Sequence, residues 1–475
     1  MIDIAALKNR ILALAVNGQV ANNKKDVKQL YDSLCDNAYK IDKNKVSDKN
    51  YDLSELPFEI PDNWKWVWLG DIFQHNTGKA LNSSNTEGTP LEYITTSNLY
   101  WDRFELEELK TMLFKDSEME KCTVRKGDLL ICEGGDIGRS AIWSEDYEMR
   151  IQNHIHRLRP YVEDICVRFY YYVMMYYKNN GLISGRGIGL QGLSSKRLHS
   201  ILVPLPDIET QYLIAERIDE SFSVIDTIDE LQQQYSANIE VLKSKIIDAG
   251  IHGKLTEQLP EDGTAEELLE QIAEEKKMHV KEGKIKASKS LPEITEDEIP
   301  FEIPDNWKWC RLVDLCKEIT DGTHKTPTYI ETGVPFLSVK NVSSGHFDFE
   351  DVKYISESEH RELIKRCNPE KGDILICRIG TLGKAIEIDI NVDFSIFVSL
   401  GLIKPLDSYL SKYLVYVLNS GFGEKWIKKN KAGDAMHAAK INLDVLRSFL
   451  VPLPPLLEQT RIVDKIDEML SIVQR

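Results

Sequence analysis

The sequence lacks several features that would place it outside the cytoplasm or at a metal. It has no run of about eighteen apolar residues and no basic, apolar leader, so we expect a cytoplasmic protein without a membrane segment or export signal. Its eight cysteines form no CxxC pair, and several lie in apolar runs such as LLICEG and ILICRI. This pattern predicts reduced, buried thiols rather than a zinc site.

A net positive charge is also missing. The formal net charge is −17 with a pI near 5.2, which for the whole chain argues against nucleic acid as a partner. The acidity is unevenly spread, because residues 256–300 contain thirteen Asp or Glu against six Lys. A surface that binds a polyanion must therefore be local or be completed by a partner.

Patterns typical of catalysis are weak throughout. GIGLQG follows no apolar strand, GGDIGRS lacks the lysine of a phosphate loop, and no motif for amine methylation is present. His154 and His156, expected on one strand face, have no third ligand spaced for a metal. Glu274 and Lys276 form an E-x-K pattern, but inside an acidic helix that indicates a solvated face. The sequence thus predicts a chain without catalytic or metal sites.

The longest periodic segment runs from about Pro206 to Gly253. Two series with heptad spacing, mostly apolar, run through it: Ile218, Ile225, Gln232, Ile239, Ile246 and Ser221, Ile228, Tyr235, Leu242, Ala249. Such a seam predicts one helix of about 60 Å that pairs with another helix. Taken alone, the pattern also fits a structural coiled-coil dimer.

Internal repeats flank this helix. PFEIPDNWKW occurs at 57–66 and again at 300–309; KGDLLICEGGDIGR is answered by KGDILICRIGTLGK, and VPLPDIETQ by VPLPPLLEQ. The order and near-constant offset of these motifs indicate a tandem duplication. We assign the repeated motifs to structure and expect Trp64, Trp66, Trp307 and Trp309 to be core residues.

A further correspondence links LKNRILALAVNGQV (7–20) with LKSKIIDAGIHGKL (242–255). The chain thus begins with the end of the long helix and finishes with its start, as in a circularly permuted repeat with approximate two-fold symmetry. Joining the termini would give a second, antiparallel helix that lacks about eight residues at its middle. We therefore expect an α+β protein with two tandem domains separated by long antiparallel coiled-coil helices.

The predicted boundaries follow from these motifs. They are 1–20, the end of the second helical region; 21–55, a polar linker; 56–205, the first α+β domain; 206–255, the central helix; 256–298, an acidic short helix and linker; 299–453, the second α+β domain; and 454–475, the C-terminal helix.

Over essentially the whole chain, these motifs and their order resemble the specificity subunits of type I restriction-modification systems. The resemblance implies a non-catalytic subunit whose two target-recognition domains each read one half of a split sequence in double-stranded DNA. It implies two methyltransferase subunits docked on the helices and a restriction/translocase subunit, with no membrane partner. It implies no cofactor in this chain, because S-adenosylmethionine belongs to the methyltransferase, and ATP and Mg to the restriction subunit. A specificity portion of a fused methylase-nuclease is an alternative.

Polar residues in the loops of the two domains are the candidates for DNA contact, since Gln and Asn suit adenine, Arg suits guanine and Lys suits phosphate. In the first domain they are Lys79, Asn82, Ser83, Thr95, Thr96, Asn98, Arg139, Gln152, Asn153, His154, Arg186 and Gln191. In the second domain they are His324, Lys325, Thr326, Lys340, Asn341, Arg378, Lys384, Lys428, Lys429, Lys431 and His437. Each of them is equally compatible with an ordinary solvated surface. The second domain has DFSIFVSLGLIKP where the first has QNHIHRLRP, so the candidate DNA contacts at 152–154 have no direct counterpart in the second domain.

Overall fold

A computed structural model describes residues 1–21, 25–41, 56–81, 86–183, 192–286, 291–433 and 439–473. The chain divides into two compact units, Met1–Gln233 and Gln234–Arg475, which we call unit 1 and unit 2. No helix in these ranges is both long enough and apolar enough to cross a bilayer.

Within the described ranges, unit 1 combines six helices with twelve short strands and the first part of a long helix, α7. The helices are α1 (Ile4–Val16), α2 (Lys28–Ile41), α3 (Leu69–Ile72), α4 (Asp116–Cys122), α5 (Val167–Asn179), α6 (Ser195–His199) and α7 (Ile208–Ile251). The strands are β1 (Lys65–Trp68), β2 (Phe73–Thr77), β3 (Thr89–Ile94), β4 (Leu99–Tyr100), β5 (Arg103–Phe104), β6 (Lys110–Phe114), β7 (Thr123–Val124), β8 (Leu129–Cys132), β9 (Ser140–Ile142), β10 (Met149–Ile151), β11 (Ile155–Pro160) and β12 (Leu202–Leu205).

Unit 2 repeats this arrangement after the second part of α7. Its helices are α8 (Ala265–Lys281), α9 (Glu357–Leu363), α10 (Tyr409–Asn419), α11 (Gly421–Asn430), α12 (Leu443–Arg447) and α13 (Leu456–Val473). Its strands are β13 (Lys308–Arg311), β14 (Cys316–Asp321), β15 (Val334–Leu337), β16 (Lys353–Ile355), β17 (Ile374–Cys377), β18 (Ala385–Glu387), β19 (Ser395–Ile396), β20 (Leu400–Pro405) and β21 (Leu450–Leu453). Short 3-10 helices cover Pro260–Asp262, Glu296–Glu298, Leu312–Leu315 and Val339–Asn341.

The described part of each unit contains two main sheets. An antiparallel sheet has the order β2-β11-β8-β9 in unit 1 and β14-β20-β17-β18 in unit 2. A second, mixed sheet has the order β6-β3-β10-β7 in unit 1 and β16-β15-β19 in unit 2. Within it, β3 runs parallel to β10, and β15 runs parallel to β19. The duplication seen in the sequence is therefore a duplication of topology.

The repeated LLIC and ILIC segments are buried at all four positions because both faces of the strand are covered. Leu129 and Ile131 of β8 point into the core that contains helix α5, whereas Leu130 and Cys132 point into a second core between the sheets. Alternate residues of a strand face opposite sides, so a strand covered on both sides is apolar throughout. In unit 2, β17 divides its side chains in the same way.

The repeated tryptophan and VPLP motifs pair with each other as two-stranded sheets. Trp66 lies opposite Pro204, and Trp309 lies opposite Pro452. Trp64, Trp66 and Trp307 are buried, as expected. Trp309 is only partly buried, because its β13 position faces an open groove beside α8 rather than the centre of the core.

Helix α7 begins two residues after and ends two residues before the predicted limits. The Asp207 carboxylate accepts hydrogen bonds from the Thr210 backbone N–H at 3.3 Å and from its hydroxyl at 2.5 Å, which caps the first turn. Gly253, with φ +65°, ends the helical path in the left-handed region that glycine tolerates.

The heptad seam is only partly buried. Ile218, Ile225 and Ile246 are buried, whereas Tyr235 is 62% and Leu242 43% exposed. The second series is thus not a continuous packed seam, which corrects the sequence-based expectation at those positions. Periodicity identifies an apolar stripe, but burial also requires another helix opposite it.

Short helices from the ends of the chain cover parts of α7 within each unit. In unit 1, α1 runs antiparallel to it, since the Ile2 N–H donates to Gln232 Oε1 at 2.6 Å and Lys8 pairs with Asp226. In unit 2, Gly250 lies directly against Ile462 and Ile466 of α13. A glycine is suited to this close approach, because a Cβ there would meet Ile466 at 2.8 Å.

The polar segments before each repeat are not plain linkers. Helix α2 buries Leu34 and Ala38, and helix α8 buries Leu268 and Ile272. Helix α8 starts with Thr264, whose hydroxyl accepts from the Glu267 N–H at 3.3 Å while the Glu267 carboxylate accepts from the Thr264 N–H at 3.1 Å. Each unit thus includes residues that precede its tryptophan motif.

Candidate nucleic-acid interface

Loops from separate strands of unit 1 meet at one edge of its sheets. The Lys79 N–H donates to Ile151 O at 3.0 Å, the Gln152 N–H to Ile94 O at 3.0 Å, and the Asn153 N–H to Lys79 O at 2.9 Å. The Glu133 N–H adds a bond to His154 O at 2.9 Å. We call this surface the polar edge of unit 1. It comprises Lys79, Thr95–Asn98, Glu133–Arg139 and Gln152–His154, and so brings together all the described candidates of this domain.

Two side chains of this edge are free to bind a ligand. Gln152 and Asn153 are partly exposed, and within the described ranges their amide groups form no hydrogen bond. An amide offers a donor and an acceptor side by side, which matches the edge of adenine. His154 is 56% exposed at its side chain and lies 3.8 Å from Glu133. The sequence predicted both histidines on one face of a strand. His154 instead lies just before β11, whereas His156 is buried within the strand.

The cations of this edge are mostly engaged by the protein. The Lys79 ammonium donates to Glu118 at 2.5 Å and to Leu113 O at 2.8 Å, and its side chain is only 10% exposed. This hydrogen bond from Lys79 lowers the pKa of the Glu118 carboxyl. The Arg139 guanidinium donates to Thr96 O at 2.7 Å, lies 3.8 Å from Asp136 and stacks over Tyr100.

Asn98 and Asn341 form the same turn in the two units. In unit 1, Asn98 Oδ1 accepts from the Thr95 N–H at 2.9 Å, and Nδ2 donates to Glu105 O at 3.0 Å. In unit 2, Asn341 Oδ1 accepts from the Ser338 N–H at 3.0 Å, and Nδ2 donates to Asp348 O at 3.1 Å. Both amides are thus occupied by the backbone, so the structure assigns them to shaping the loop rather than to contacting a base.

Unit 2 has the same backbone frame at the corresponding edge. The Thr323 N–H donates to Ile396 O at 3.0 Å, the Val398 N–H to Thr323 O at 3.0 Å, and the Arg378 N–H to Ser399 O at 3.0 Å. Thr323 therefore stands where unit 1 has Lys79, and Phe397 stands where it has Gln152. We call this surface the polar edge of unit 2: Thr323–Thr326, Ser338–Asn341, Arg378–Lys384 and Phe397–Ser399.

Gly78 and Gly322 fix this frame. A Cβ on Gly78 would lie 2.0 Å from Ile151 O, and one on Gly322 would lie 2.1 Å from Ile396 O. Only glycine permits such an approach of two backbones. The frame is therefore held by repeated residues, whereas the side chains that project from it differ between the units.

Arg378 is a support of this edge and not an exposed reader. It is 7% exposed and ion-paired with the buried carboxylate of Asp321. Its Nε donates to Ile441 O at 3.1 Å and its Nη1 to Val398 O at 3.3 Å. His324 Nε2 also lies 3.1 Å from Asp321. The structure does not support a direct base contact for Arg378, because its donors already hold three loops together.

The exposed lysines of unit 2 surround the same edge. Lys325, Lys340, Lys384, Lys429 and Lys431 are exposed and form no ion pair with any described residue. Lys428 lies 3.6 Å from Glu424. Thr326 is exposed next to Lys325. Sequence reasoning missed Lys425 on α11 and Lys440, although their positions in a lysine-rich stretch were a usable signal.

The chain fold brings these lysines together. Lys440 pairs with both Ile379 and Ala432 through isolated bridges, which places Lys431 and Lys440 beside the 378–384 loop. Gly383 packs against Ile427 of α11, and the side chain of Lys384 lies next to Gly345. The candidates Asn82, Ser83, Arg186, Gln191 and His437 lie outside the described residues.

Unit 1 contains a buried histidine cluster that the sequence did not reveal. His75 Nε2 lies 2.8 Å from His156 Nδ1, and His156 Nε2 lies 2.6 Å from Leu193 O. The His199 ring centre is 4.6 Å from that of His75. Burial lowers the pKa of His75 to about 3 and that of His156 to about 4. Within the described ranges, no three or more His, Cys, Asp or Glu side chains are arranged to hold a metal ion.

The E-x-K pattern is likewise not arranged as a catalytic pair. The Lys276 ammonium donates to Val313 O at 2.5 Å, and burial lowers its pKa, whereas Glu274 is exposed. The eight cysteines are free, seven of them buried and Cys35 partly buried.

Comparison with known proteins identifies the family. The family model "Type I restriction modification DNA specificity domain" matches residues 61–240 and 304–474, so the two matches span both repeats. The chain therefore belongs to the type I restriction-modification DNA specificity family, which confirms the resemblance seen in the motifs. This match to both repeats does not favour a purely structural coiled coil.

Individual relatives agree with this assignment. The type I restriction enzyme EcoAI specificity subunit of Escherichia coli is 26% identical, over 98% of this chain and 89% of its own. The EcoEI specificity subunit of the same species is 28% identical, over 59% of this chain and 49% of its own. A chain solved in work on complex assembly and conformational transition of the type I R-M system shares the fold, with a TM-score of 0.53, 19% identity and coverage of 88% of this chain and 93% of that one.

Proposed function

We propose that this chain is the DNA-reading subunit of a type I restriction-modification complex and has no catalytic activity of its own. Each unit reads one part of a bipartite target in double-stranded DNA through its polar edge. The observation that carries this proposal is a shared backbone frame with different partly exposed side chains, Gln152 and Asn153 in unit 1 against Phe397 and Val398 in unit 2. A conserved frame keeps the reading geometry, and different side chains select different bases.

The helices supply the second part of the proposal. In unit 1, Val224 and Leu231 of α7 are exposed, as are Tyr235, Val241 and Leu242 in unit 2. Exposed apolar side chains on a helix are typical of surfaces that bind another protein. We propose that methyltransferase subunits dock here, two per chain, one for each repeat, and that a restriction/translocase subunit joins them.

The chemistry then belongs to the partners. We propose that S-adenosylmethionine is bound by the methyltransferase subunits, and ATP and Mg by the restriction subunit, while this chain binds DNA alone. The overall negative charge is compatible with this division, because the partners would complete the positive surface around the duplex.

Methylation mapping tests the proposal. The chain is co-expressed with a methyltransferase subunit of its own system, and methylated adenines are mapped across the host genome with and without it. We expect a split motif that depends on the chain, and replacement of one unit by that of a relative should change one half only. A stable complex that leaves adenine methylation unchanged would contradict the proposal.

A further inference from the structure

The polar edges of the two units differ in their available positive charge. In unit 1, Lys79 and Arg139 are engaged by Glu118 and Asp136, and Arg103 lies 3.3 Å from Glu105. Near this edge, Lys110 on the outermost strand β6, Lys121 on α4 and Lys196 on α6 are exposed and form no ion pair with any described residue, but they lie on three separate elements. Glu133 adds a carboxylate to the same surface, whereas Asp136 pairs with both Arg139 and Lys178.

Unit 2 has the opposite balance. Helix α11 directs Phe422, Trp426 and Ile427 into the unit and leaves Lys425 and Lys429 exposed on its outer side. Lys431 and Lys440 continue this surface to the 378–384 loop, where Lys384 is exposed. None of these five lysines forms an ion pair with the described part of the chain. The acidic group at the centre of the edge, Asp321, is buried and neutralised by Arg378.

Three of these lysines lie on or directly after helix α11: Lys425, Lys429 and Lys431. Helix α11 follows α10 directly. Ammonium groups on flexible stems bind phosphate without reading bases, and each phosphate neutralised releases counterions. The lysine surface is thus suited to the DNA backbone on either side of a half-site.

From this contrast we propose that the two units bind DNA by unequal means. Unit 2 holds the phosphate backbone through the lysine surface of Lys384, Lys425, Lys429, Lys431 and Lys440, and so supplies most of the salt-dependent affinity. Unit 1 contributes mainly neutral hydrogen bonds from side chains such as Gln152 and Asn153. This inference rests on the proposed function and adds to it a division of labour between the two half-sites.

Salt dependence of binding is the first test. The full chain, in complex with its methyltransferase subunits, is titrated with a duplex that carries the target mapped by methylation, between about 50 and 200 mM salt. For a variant with Lys384→Gln, Lys429→Gln, Lys431→Gln and Lys440→Gln, we expect the slope of log affinity against log salt to become less steep by about two to four. Arg103→Gln in unit 1 should change it by less than about one.

A matched control carries the same change of charge elsewhere in unit 2: Lys277→Gln, Lys281→Gln, Lys284→Gln and Lys286→Gln, on α8 and the turn after it. We expect its slope to equal that of the unaltered chain. An equal effect of the control, or no effect of the lysine-surface variant, would overturn the inference while leaving the proposed function intact. Failure of the unaltered complex to prefer its target over other DNA would overturn both.

Phosphate ethylation interference locates the contacts directly. Ethylated phosphates that block binding should cluster around the half-site that unit 2 reads, as identified by exchanging one unit. An even distribution over both half-sites would contradict the unequal roles. Retention of target preference by the lysine-surface variant at low salt supports a phosphate role, because base contacts would remain.

Discussion

The carboxylate of Asp128 and the guanidinium of Arg159 form two parallel hydrogen bonds of 2.7 and 2.6 Å in unit 1. Asp128, the acidic residue of the first KGD motif, is 2% exposed and also accepts from the Arg125 N–H at 2.8 Å. In unit 2, Lys404 pairs with Asp373 of the second KGD motif. The repeated acidic residue is therefore an anchor that joins the turn before the central strand to its neighbouring strand.

We expect Asp128→Asn to destabilise unit 1 by about 2–4 kcal/mol, because it leaves a partly buried guanidinium without its counter-charge. Urea unfolding of the full chain measures this. Asp146→Asn, at a pair whose carboxylate is 88% exposed, is the control and should change stability by less than about 0.5 kcal/mol. The corresponding Asp373→Asn should have a smaller effect, since burial raises the pKa of Asp373 and the charged form is less favoured there. Equal stability of Asp128→Asn and Asp146→Asn would refute the anchor role.

We expect Gln152 to contribute to DNA recognition but not to the stability of the fold. Because its amide forms no hydrogen bond within the described structure, Gln152→Ala should leave the unfolding midpoint unchanged. If it contacts a base, the variant should lose about 1–3 kcal/mol of discrimination at one position of one half-site. Methylation mapping with the variant provides the measurement.

Asn98→Ala is the contrasting variant at the same edge. It removes the bonds to Thr95 and Glu105, so we expect a loss of about 1–2 kcal/mol in stability. Its effect on recognition should cover several positions of the half-site, because the whole loop shifts. A Gln152→Ala variant that is as unstable as Asn98→Ala would show that both residues are structural.

Several of these roles could not be predicted from the sequence. The repeats predicted two equivalent units, and the heptads predicted α7 to within two residues at each end. The burial of Arg378 was not predictable, since it depends on Asp321, 57 residues earlier. Tyr235 and Leu242 continue the heptad pattern yet are exposed, because a local pattern does not specify which segments another helix covers.

The arrangement of the candidate site could also not be predicted from local sequence patterns. Loops that meet at each polar edge come from strands far apart in the sequence, and only β-sheet register brings Lys79 beside Gln152. Asn98 and Asn341 were predicted as readers because asparagine suits adenine, but the turn already uses both ends of each amide. The His75–His156 contact joins residues 81 positions apart and has no local signal.

We expect the histidine cluster to make unit 1 sensitive to acid. A carbonyl oxygen only accepts, so His156 carries its proton on Nε2 toward Leu193 O, and its Nδ1 accepts from His75 Nε2–H. Protonation of His156 would set two N–H groups against each other, near Arg157, Lys121 and His199, which already lower the pKa of His75. The folded pKa values of about 3 and about 4 lie below the ordinary value of 6.5, so the folded state favours the neutral rings.

The contribution of the neutral rings is fully present above about pH 6.5 and is lost as pH falls toward the folded values. Each histidine can remove at most about 1.4 kcal/mol per pH unit in that window. Urea unfolding from pH 7.5 to 5 should show a loss of stability in unit 1 that is weaker in a His75→Gln variant. An unchanged pH profile in that variant would contradict the assignment.

Tyr170 and Tyr172 lie two residues apart on α5, and in the described structure only the Tyr172 hydroxyl has a hydrogen-bond partner. The Tyr172 hydroxyl donates to Asp219 of α7, which also accepts from Arg168 Nη2 at 2.7 Å. In unit 2, Tyr416 and Lys412 of α10 bond to Asp467 of α13 in the same way. This repeated contact attaches the helix of each α+β domain to the helix that follows its VPLP motif.

Tyr172→Phe should therefore destabilise unit 1 by about 1–2 kcal/mol, since it removes a hydrogen bond to a charged group. Tyr170→Phe is a matched control two residues earlier. The Tyr170 hydroxyl is buried and has no hydrogen-bond partner in the described structure, so its removal should be neutral or stabilising. Thermal unfolding of both variants measures the difference. A lower midpoint for Tyr170→Phe than for Tyr172→Phe would contradict the stabilising role of the Tyr172 hydroxyl. The contact joins α5 of the first α+β domain to α7. Tyr172→Phe should therefore also make the distance between the two half-sites in methylation maps more variable, whereas Tyr170→Phe should leave that distance unchanged.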